Sequence, residues 1–369
     1  MMTTEVEKYR SLPIPSRSIH SWRYTPWRKV HPTGDVNEIP TDVVPASVSI
    51  SMFDGTDVPE GISLKCSDSS EQEWQDSADI AEAFHRAICP EYWRITIDEG
   101  LVLSSPLLIE VKAGGHVAAT HVSVEVGAFA EVEALWSING EASWFGFRRS
   151  GEIATGAHYR EAMEQALSSS TILLRGEHWA LAKDANMFCG LLSLGGSLVR
   201  SDLRSNIEQG SSIKKMIASH GKGERVDDNH LEVEHPVGNN NSEVVLHSAC
   251  DDKSRSISTG MLKIAKGADG SDASQIFRNL LLSSGAKAES IPELEVLADD
   301  VSAAHGAASA PIDPEQMFYL QSRGLELQEA EHLVVEGFLI DAMQGLDSSI
   351  IIDWLRTRLT IHLDCALLD

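Results

Sequence analysis

Between about Trp93 and Leu297, apolar side chains recur at every second position. Val122, Val124 and Val126 alternate with Ser123 and Glu125, and Val132 and Ala134 alternate with Glu131 and Glu133. Period 2 is the mark of strands that bury one face. Glycines return about every 10 to 20 residues from Gly100 to Gly285, as short strands joined by tight turns require. Two architectures fit this pattern. An antiparallel sandwich favours Asn-Gly hairpins, of which the region has one, Asn139-Gly140; a solenoid of stacked strands tolerates irregular turns. The turn chemistry favours a parallel β-helix over residues 91–311, although no strict hexapeptide repeat is visible.

The flanking segments have helical spacing. Ile80, Ala83, Phe84, Ala87 and Ile88 share one helical face, Ser77 or Asp79 can cap its start, and Pro90 stops it. The rest of residues 1–90 is rich in Pro, Ser and charge. It holds an aromatic and basic cluster, Ser21-Trp22-Arg23-Tyr24-Thr25-Pro26-Trp27-Arg28, which suits a loop pinned onto a domain better than a cation–π recognition patch. Beyond residue 312, Asp313 is an N-cap candidate with Pro314 at the first helical position and Gly324 past the end. A second helix runs through Leu333, Val334, Gly337, Phe338 and Ile340 to Met343, ending at Gly345. A third spans about Ser348 to Leu368. The expected organisation is a helical N-terminal region (1–90), a β-helix (91–311) and a C-terminal helical domain (312–369).

Charge narrows the function. With 55 acidic against 30 basic residues, the 369-residue chain carries −25, which opposes binding to nucleic acid or an anionic membrane. The apolar fraction, 42%, is enough for a real core. Five cysteines lie far apart and never as CxxC, so neither a disulfide framework nor a local zinc or ferredoxin site is expected, and the thiols suit a reducing compartment. The polar start and the absence of an eighteen-residue apolar run predict a soluble cytoplasmic protein.

The sequence has no GxxxxGK[ST], HExxH or GxSxG, so ATP hydrolysis by this chain alone is not expected. His220, His230, His235 and His247 lie near Asp227, Asp228, Glu232 and Glu234. Imidazole and carboxylate together suit Fe, Zn or Mn, while the plainer expectation is histidines that face solvent or hydrogen-bond a turn. A nearer candidate is His305, which follows Asp299-Asp300 and precedes Gly306 where strands give way to helices, a place where a side chain can be presented at an exposed edge.

Several segments resemble the SufB/SufD family of iron–sulfur cluster assembly proteins, and its SufD-type branch in particular. They are Ser21-Trp22-Arg23-Tyr24-Thr25-Pro26; Asp228-Asn229-His230 with His235; Ser274-Gln275-Ile276-Phe277-Arg278-Asn279-Leu280; Pro292-Glu293-Leu294-Glu295-Val296; His305-Gly306-Ala307; and Gln316-Met317-Phe318-Tyr319-Leu320-Gln321-Ser322-Arg323-Gly324. Their order and spacing match over about the last 150 residues. The resemblance implies a right-handed parallel β-helix between helical regions. It implies a non-catalytic scaffold that pairs with a SufB-like subunit through the β-helix and binds a SufC-like ATPase through the C-terminal domain, with Phe318, Tyr319, Arg323 and Phe338 in the ATPase-binding region. A homodimer through the same sheet edge is the other pairing expected.

The resemblance also implies a transient iron–sulfur cluster shared with the partner subunit, with His305 offered at the interface. Departures from the family pattern refine this. SufB-type chains carry a sulfur-accepting Cys before the Pro of the PELEV-like element and a Glu directly after the His; here the positions hold Ala286 and Gly306. The Cys that SufD-type chains often place two residues before the His is Ala303, and the usual Lys-Gly is His247-Ser248. Ligation is therefore expected from His305, from Asp299 or Asp300, and from the partner's thiolates, with His230, His235 and His247 as weaker metal candidates. The alternative is a cytoplasmic β-helix enzyme acting on a carbohydrate or acyl substrate, with Asp227, Asp228, Glu232 and His230 as acid and base groups.

Overall fold

The computed structural model describes residues 2–69 and 78–366. An N-terminal segment carries helices α1 (Met2–Ser11) and α2 (Trp27–Val30), strands β1 (Val43–Val44), β2 (Ser47–Met52) and β3 (Ile62–Asp68), and helix α3 (Ile80–Ile88). Then come β4 (Glu91–Ile97), β5 (Leu107–Ala113), β6 (Val117–Val126), β7 (Glu131–Gly140), β8 (Trp144–Ile153), β9 (His158–Leu167), β10 (Ile172–Leu181) and β11 (Asn186–Ser193). They continue as β12 (Leu198–Ile207), β13 (Ser212–Gly221), β14 (Val226–His235), β15 (Asn241–Cys250), β16 (Arg255–Ile264), β17 (Asp272–Leu281), β18 (Lys287–Val296) and β19 (Ser302–Pro311). Helices α4 (Pro314–Ser322), α5 (Leu327–Asp341) and α6 (Ser349–Ala366) follow.

Even-numbered strands from β4 to β18 stack in parallel in one sheet, and odd-numbered strands from β5 to β19 in the other. Each coil of this parallel β-solenoid therefore contributes one strand to each sheet. Ile172 lies over Leu198 and Arg255 over Lys287, so a coil takes 26 to 32 residues, and this uneven length hides any short repeat in the sequence. Alternate residues point between the sheets, where Val122, Val124, Phe145, Phe147, Trp179, Leu231, Val233 and Phe277 build one continuous core.

Both outer faces are covered too. Tyr9, Trp22, Trp27 and Phe84 pack on Val117, Ala119, Trp144 and Leu174 of the even sheet, and the Trp144 indole N–H donates to the Val30 carbonyl at 2.7 Å. On the odd sheet, Leu339, Met343, Leu355 and Leu359 pack on Leu135, Ala162, Leu192, Met216 and Ala218. Each such large side chain contributes about 1.5–3 kcal/mol by leaving water. Gly190 allows the close seat, since a Cβ there would lie 2.6 Å from Leu346 Cδ1.

Two expectations need correction. Residues 43–68 fall inside the stretch read as helical, yet they form β1 to β3; β2 pairs antiparallel with β5, and β3 with β4, closing the first coil. Val48 and Met52 are buried while Ser47, Ser49 and Ser51 face water, a period-2 pattern obscured by the polar composition around it. The second C-terminal helix ends at Asp341, four residues before Gly345, which belongs to a 3-10 turn, Gln344–Leu346, against Met216. The caps at Asp79 and Asp313 are formed, accepting from the backbone N–H of Glu82 and Glu315. The other cap candidate, Ser77, and the end of the third helix at Leu368 lie outside the described residues.

Candidate functional site at the last coil

Strands β18 and β19 end the two sheets, each pairing with an earlier strand on one side only. Nearly all of β19 is exposed, so its outer row of N–H and C=O groups stands open to another strand. His305 lies three residues into β19, exposed, in register with Gln275 of β17. Gln275 is held from below, its side-chain amide donating to the Glu293 carbonyl at 2.8 Å. Asp299 and Asp300 sit in the exposed turn before β19, and their backbone N–H groups donate to Asp269 Oδ1 at 3.3 and 3.2 Å. Val296 and Leu297, just before that turn, and Ile276, in register with Gly306, are exposed apolar residues. Among the described residues no three His, Cys, Asp or Glu side chains converge as a metal site.

The weaker metal candidates occupy three separate places. His230 points outward on β14, 3.0 Å from Asp228 Oδ1, beneath the N-terminal segment. Burial and the Arg200 charge hold its pKa below the usual histidine value. His235 bonds Asn240 Oδ1 at 2.6 Å and Ser242 Oγ at 2.8 Å. His247 meets the Phe338 carbonyl at 2.7 Å and stacks on its ring. Burial lowers both pKa values as well. Each imidazole is thus engaged as a packing element.

The groups named for acid–base work are also committed. Asp227 Oδ2 accepts from Ser193 and Ser219, both at 2.7 Å, and from Arg225 at 3.0 Å. Asp228 is shared by Thr25 and His230, and Glu232 binds Lys263 at 2.6 Å. An open groove of about 520 Å³ on the even sheet is lined by Arg94, Arg148 and Arg204. Those guanidinium groups lie 3.1 Å from Glu125, 3.5 Å from Glu82 and 2.8 Å from Asp202.

The aromatic N-terminal cluster packs as expected. Trp22 and Trp27 are buried, and Arg200 and Arg255 lie over the rings of Trp22 and Tyr24. At the other end of the chain, α4 buries none of its residues; Phe318 is 74% and Tyr319 55% exposed, with Arg323 over the Tyr319 ring. Phe338, grouped with them from the sequence, is partly buried against the solenoid, where its ring stacks on His247. Cys89 and Cys189 are pushed up to about 12, and Cys250 to about 11, by burial, so these thiols stay protonated at neutral pH.

Sequence reasoning missed a charged interior. Arg149 donates to Glu161 at 2.8 and 2.7 Å and to Glu177 at 3.0 and 2.8 Å, and all three are buried between the sheets. The available signal was charge at inward positions of the period-2 pattern. It also missed a contact between His220 and His362, 3.0 Å apart.

Comparison with known proteins agrees with this architecture. The profile described as "SUF system FeS cluster assembly, SufBD core domain" matches residues 109–338. The iron–sulfur cluster assembly protein SufD of Escherichia coli is 28% identical, over 90% of this chain and 85% of its own length. That of Bacillus subtilis is 36% identical over 34% of this chain and 29% of its own, and an iron–sulfur cluster assembly SufBD family protein of Mycobacterium leprae is 24% identical over 94% and 88%. With more than half of its length matched by the family profile on a parallel solenoid, the chain belongs to the SufBD family and is a SufD-type subunit of the SUF iron–sulfur cluster assembly system.

Proposed function

We propose that this chain is a cytoplasmic, non-catalytic scaffold subunit. Its last coil pairs with a SufB-like subunit, or with a second copy of itself, and α4 to α6 bind a SufC-like ATPase. The observation that carries the reading is His305, exposed on a strand with an open edge, where the described residues bring no three His, Cys, Asp or Glu side chains together. A nascent iron–sulfur cluster is cargo at that interface, with His305 and a carboxylate, Asp299 or Asp300, supplying ligands beside the partner's thiolates. Added β-strand pairing along β19 would supply main-chain hydrogen bonds, and burial of Val296, Leu297 and Ile276 would supply apolar area. Exposed Phe318 and Tyr319 beside Arg323 support α4 as the part of the helical unit that meets the ATPase. The carbohydrate or acyl enzyme has no observation in its favour, since its acid–base candidates are all engaged in internal contacts.

The test is anaerobic reconstitution of the complex with iron and sulfide. His305→Ala is expected to fold normally, because its side chain is exposed, and to lower cluster absorbance, while Cys189→Ser and Cys250→Ser leave it unchanged. A truncation after Ala310 is expected to lose the ATPase on co-purification. Normal clusters with His305→Ala, or full ATPase yield with the truncation, would refute the corresponding assignment.

A further inference from the structure

At the centre of the solenoid a cavity of about 20 Å³ lies between the sheets, lined by Arg149, Glu161, Arg175, Glu177, Cys189 and Lys215. Four of these satisfy one another. Arg149 bonds both carboxylates, and Arg175 Nε donates to Glu177 at 2.9 Å. Although burial alone would raise it, the Glu177 carboxyl is held well below the usual range by Arg149 and Arg175. Lys215 is the exception. It is 3% exposed, and its Nζ has no hydrogen-bond partner.

The lining groups comprise three cations against two carboxylates. Burial is the largest cause lowering the Lys215 pKa; Glu177 opposes it, but Arg175 and Arg149 share that carboxylate and add to the lowering, so a buried ammonium with no hydrogen bond is short of counter-charge, which is expensive. A cavity of this volume accommodates a single water-sized particle. A column of polar residues runs on from it along the even sheet. Ser201, Asn229, Ser258 and Ser290 stack in register from Arg175 to the last coil. Ser201 Oγ, Asn229 Oδ1 and Ser258 Oγ are buried with no protein group to bond, which suits a hydrated file along the solenoid axis.

We propose that the solenoid interior binds one small monovalent anion, of halide size, against Lys215 Nζ, neutralising the excess cation and fixing the charged core. The full chain is purified and crystallised in bromide, and anomalous diffraction is collected at the bromine edge. Bromide density touching Lys215 Nζ, and absent from Lys215→Met, is the expected result. In solution, the wild-type Tm should rise by about 2 °C in bromide over gluconate at equal ionic strength, because gluconate is too large for the cavity, and Lys215→Met should lose that rise. Absence of bromide from the wild-type cavity, or an equal Tm rise in Lys215→Met, overturns the proposal. The wild-type crystal decides the matter even if the variant fails to fold.

Discussion

Acidification should release α6 from the solenoid before the rest of the molecule unfolds. His220 on β13 and His362 on α6 meet Nδ1 to Nε2 at 3.0 Å, with rings edge to face. Such a contact needs one ring to donate and the other to accept, so it disfavours protonating both. Burial is the largest cause lowering each pKa; the partner ring adds to it for His220, and Arg225, Lys222 and His332 add positive potential to both. His220 is lowered to about 3 and His362 to about 4, against about 6.5 for an exposed imidazole. Below pH 6.5 the detached state binds protons that the docked state refuses, so docking strength is complete above 6.5 and is lost as pH falls toward 4. At pH 5 each histidine accounts for about 2 kcal/mol, from about 1.4 kcal/mol per unit over 1.5 units. The pair loses about 2–4 kcal/mol, allowing for incomplete exposure when α6 lifts, which is about a 30- to 1,000-fold increase in opening. Hydrogen exchange of peptides covering Ser349–Ala366, at pH 7.5 and pH 5 and corrected for intrinsic rates, measures this directly. The double variant His220→Asn, His362→Asn should show a much smaller drop. Unchanged protection in the wild type, or the same drop in the double variant, would refute the reasoning.

Glu161→Gln leaves Arg149 short of a buried counter-charge and should lower stability by about 3–5 kcal/mol in urea titrations, with Arg149→Met in the same chain recovering much of it. Gly195→Ala should sharply lower Tm, because a Cβ would lie 2.1 Å from the Leu167 carbonyl oxygen. Gly337→Ala, where the added carbon meets nothing within 4 Å beyond its chain neighbours and the helix's own backbone, on an α5 face open to water, should instead raise stability by up to about 1 kcal/mol through helix propensity.

The features legible in the amino-acid sequence alone are local in origin. The alternation of Val122, Val124 and Val126 with polar neighbours specified strands, because side chains on a strand take opposite faces in turn. Asp79 and Asp313 marked helix starts, because a carboxylate there accepts the first free N–H groups. A parallel β-helix could be favoured from turn chemistry, and the family resemblance pointed to the same architecture. Ser47 to Met52 had the strand pattern too, but over only six residues in a polar segment, and its antiparallel partner lies some sixty residues away in β5. Alternation tells which residues are inside, but not what they meet there. That Glu161, Cys189 and Lys215 stand one above another depends on coil lengths that vary from turn to turn, and loop length sets register without leaving a periodic trace. Likewise, His220 and His362 are 142 positions apart. Only the return of α6 across the odd sheet brings them together, and that return is determined by which apolar faces remain to be covered once the solenoid has formed.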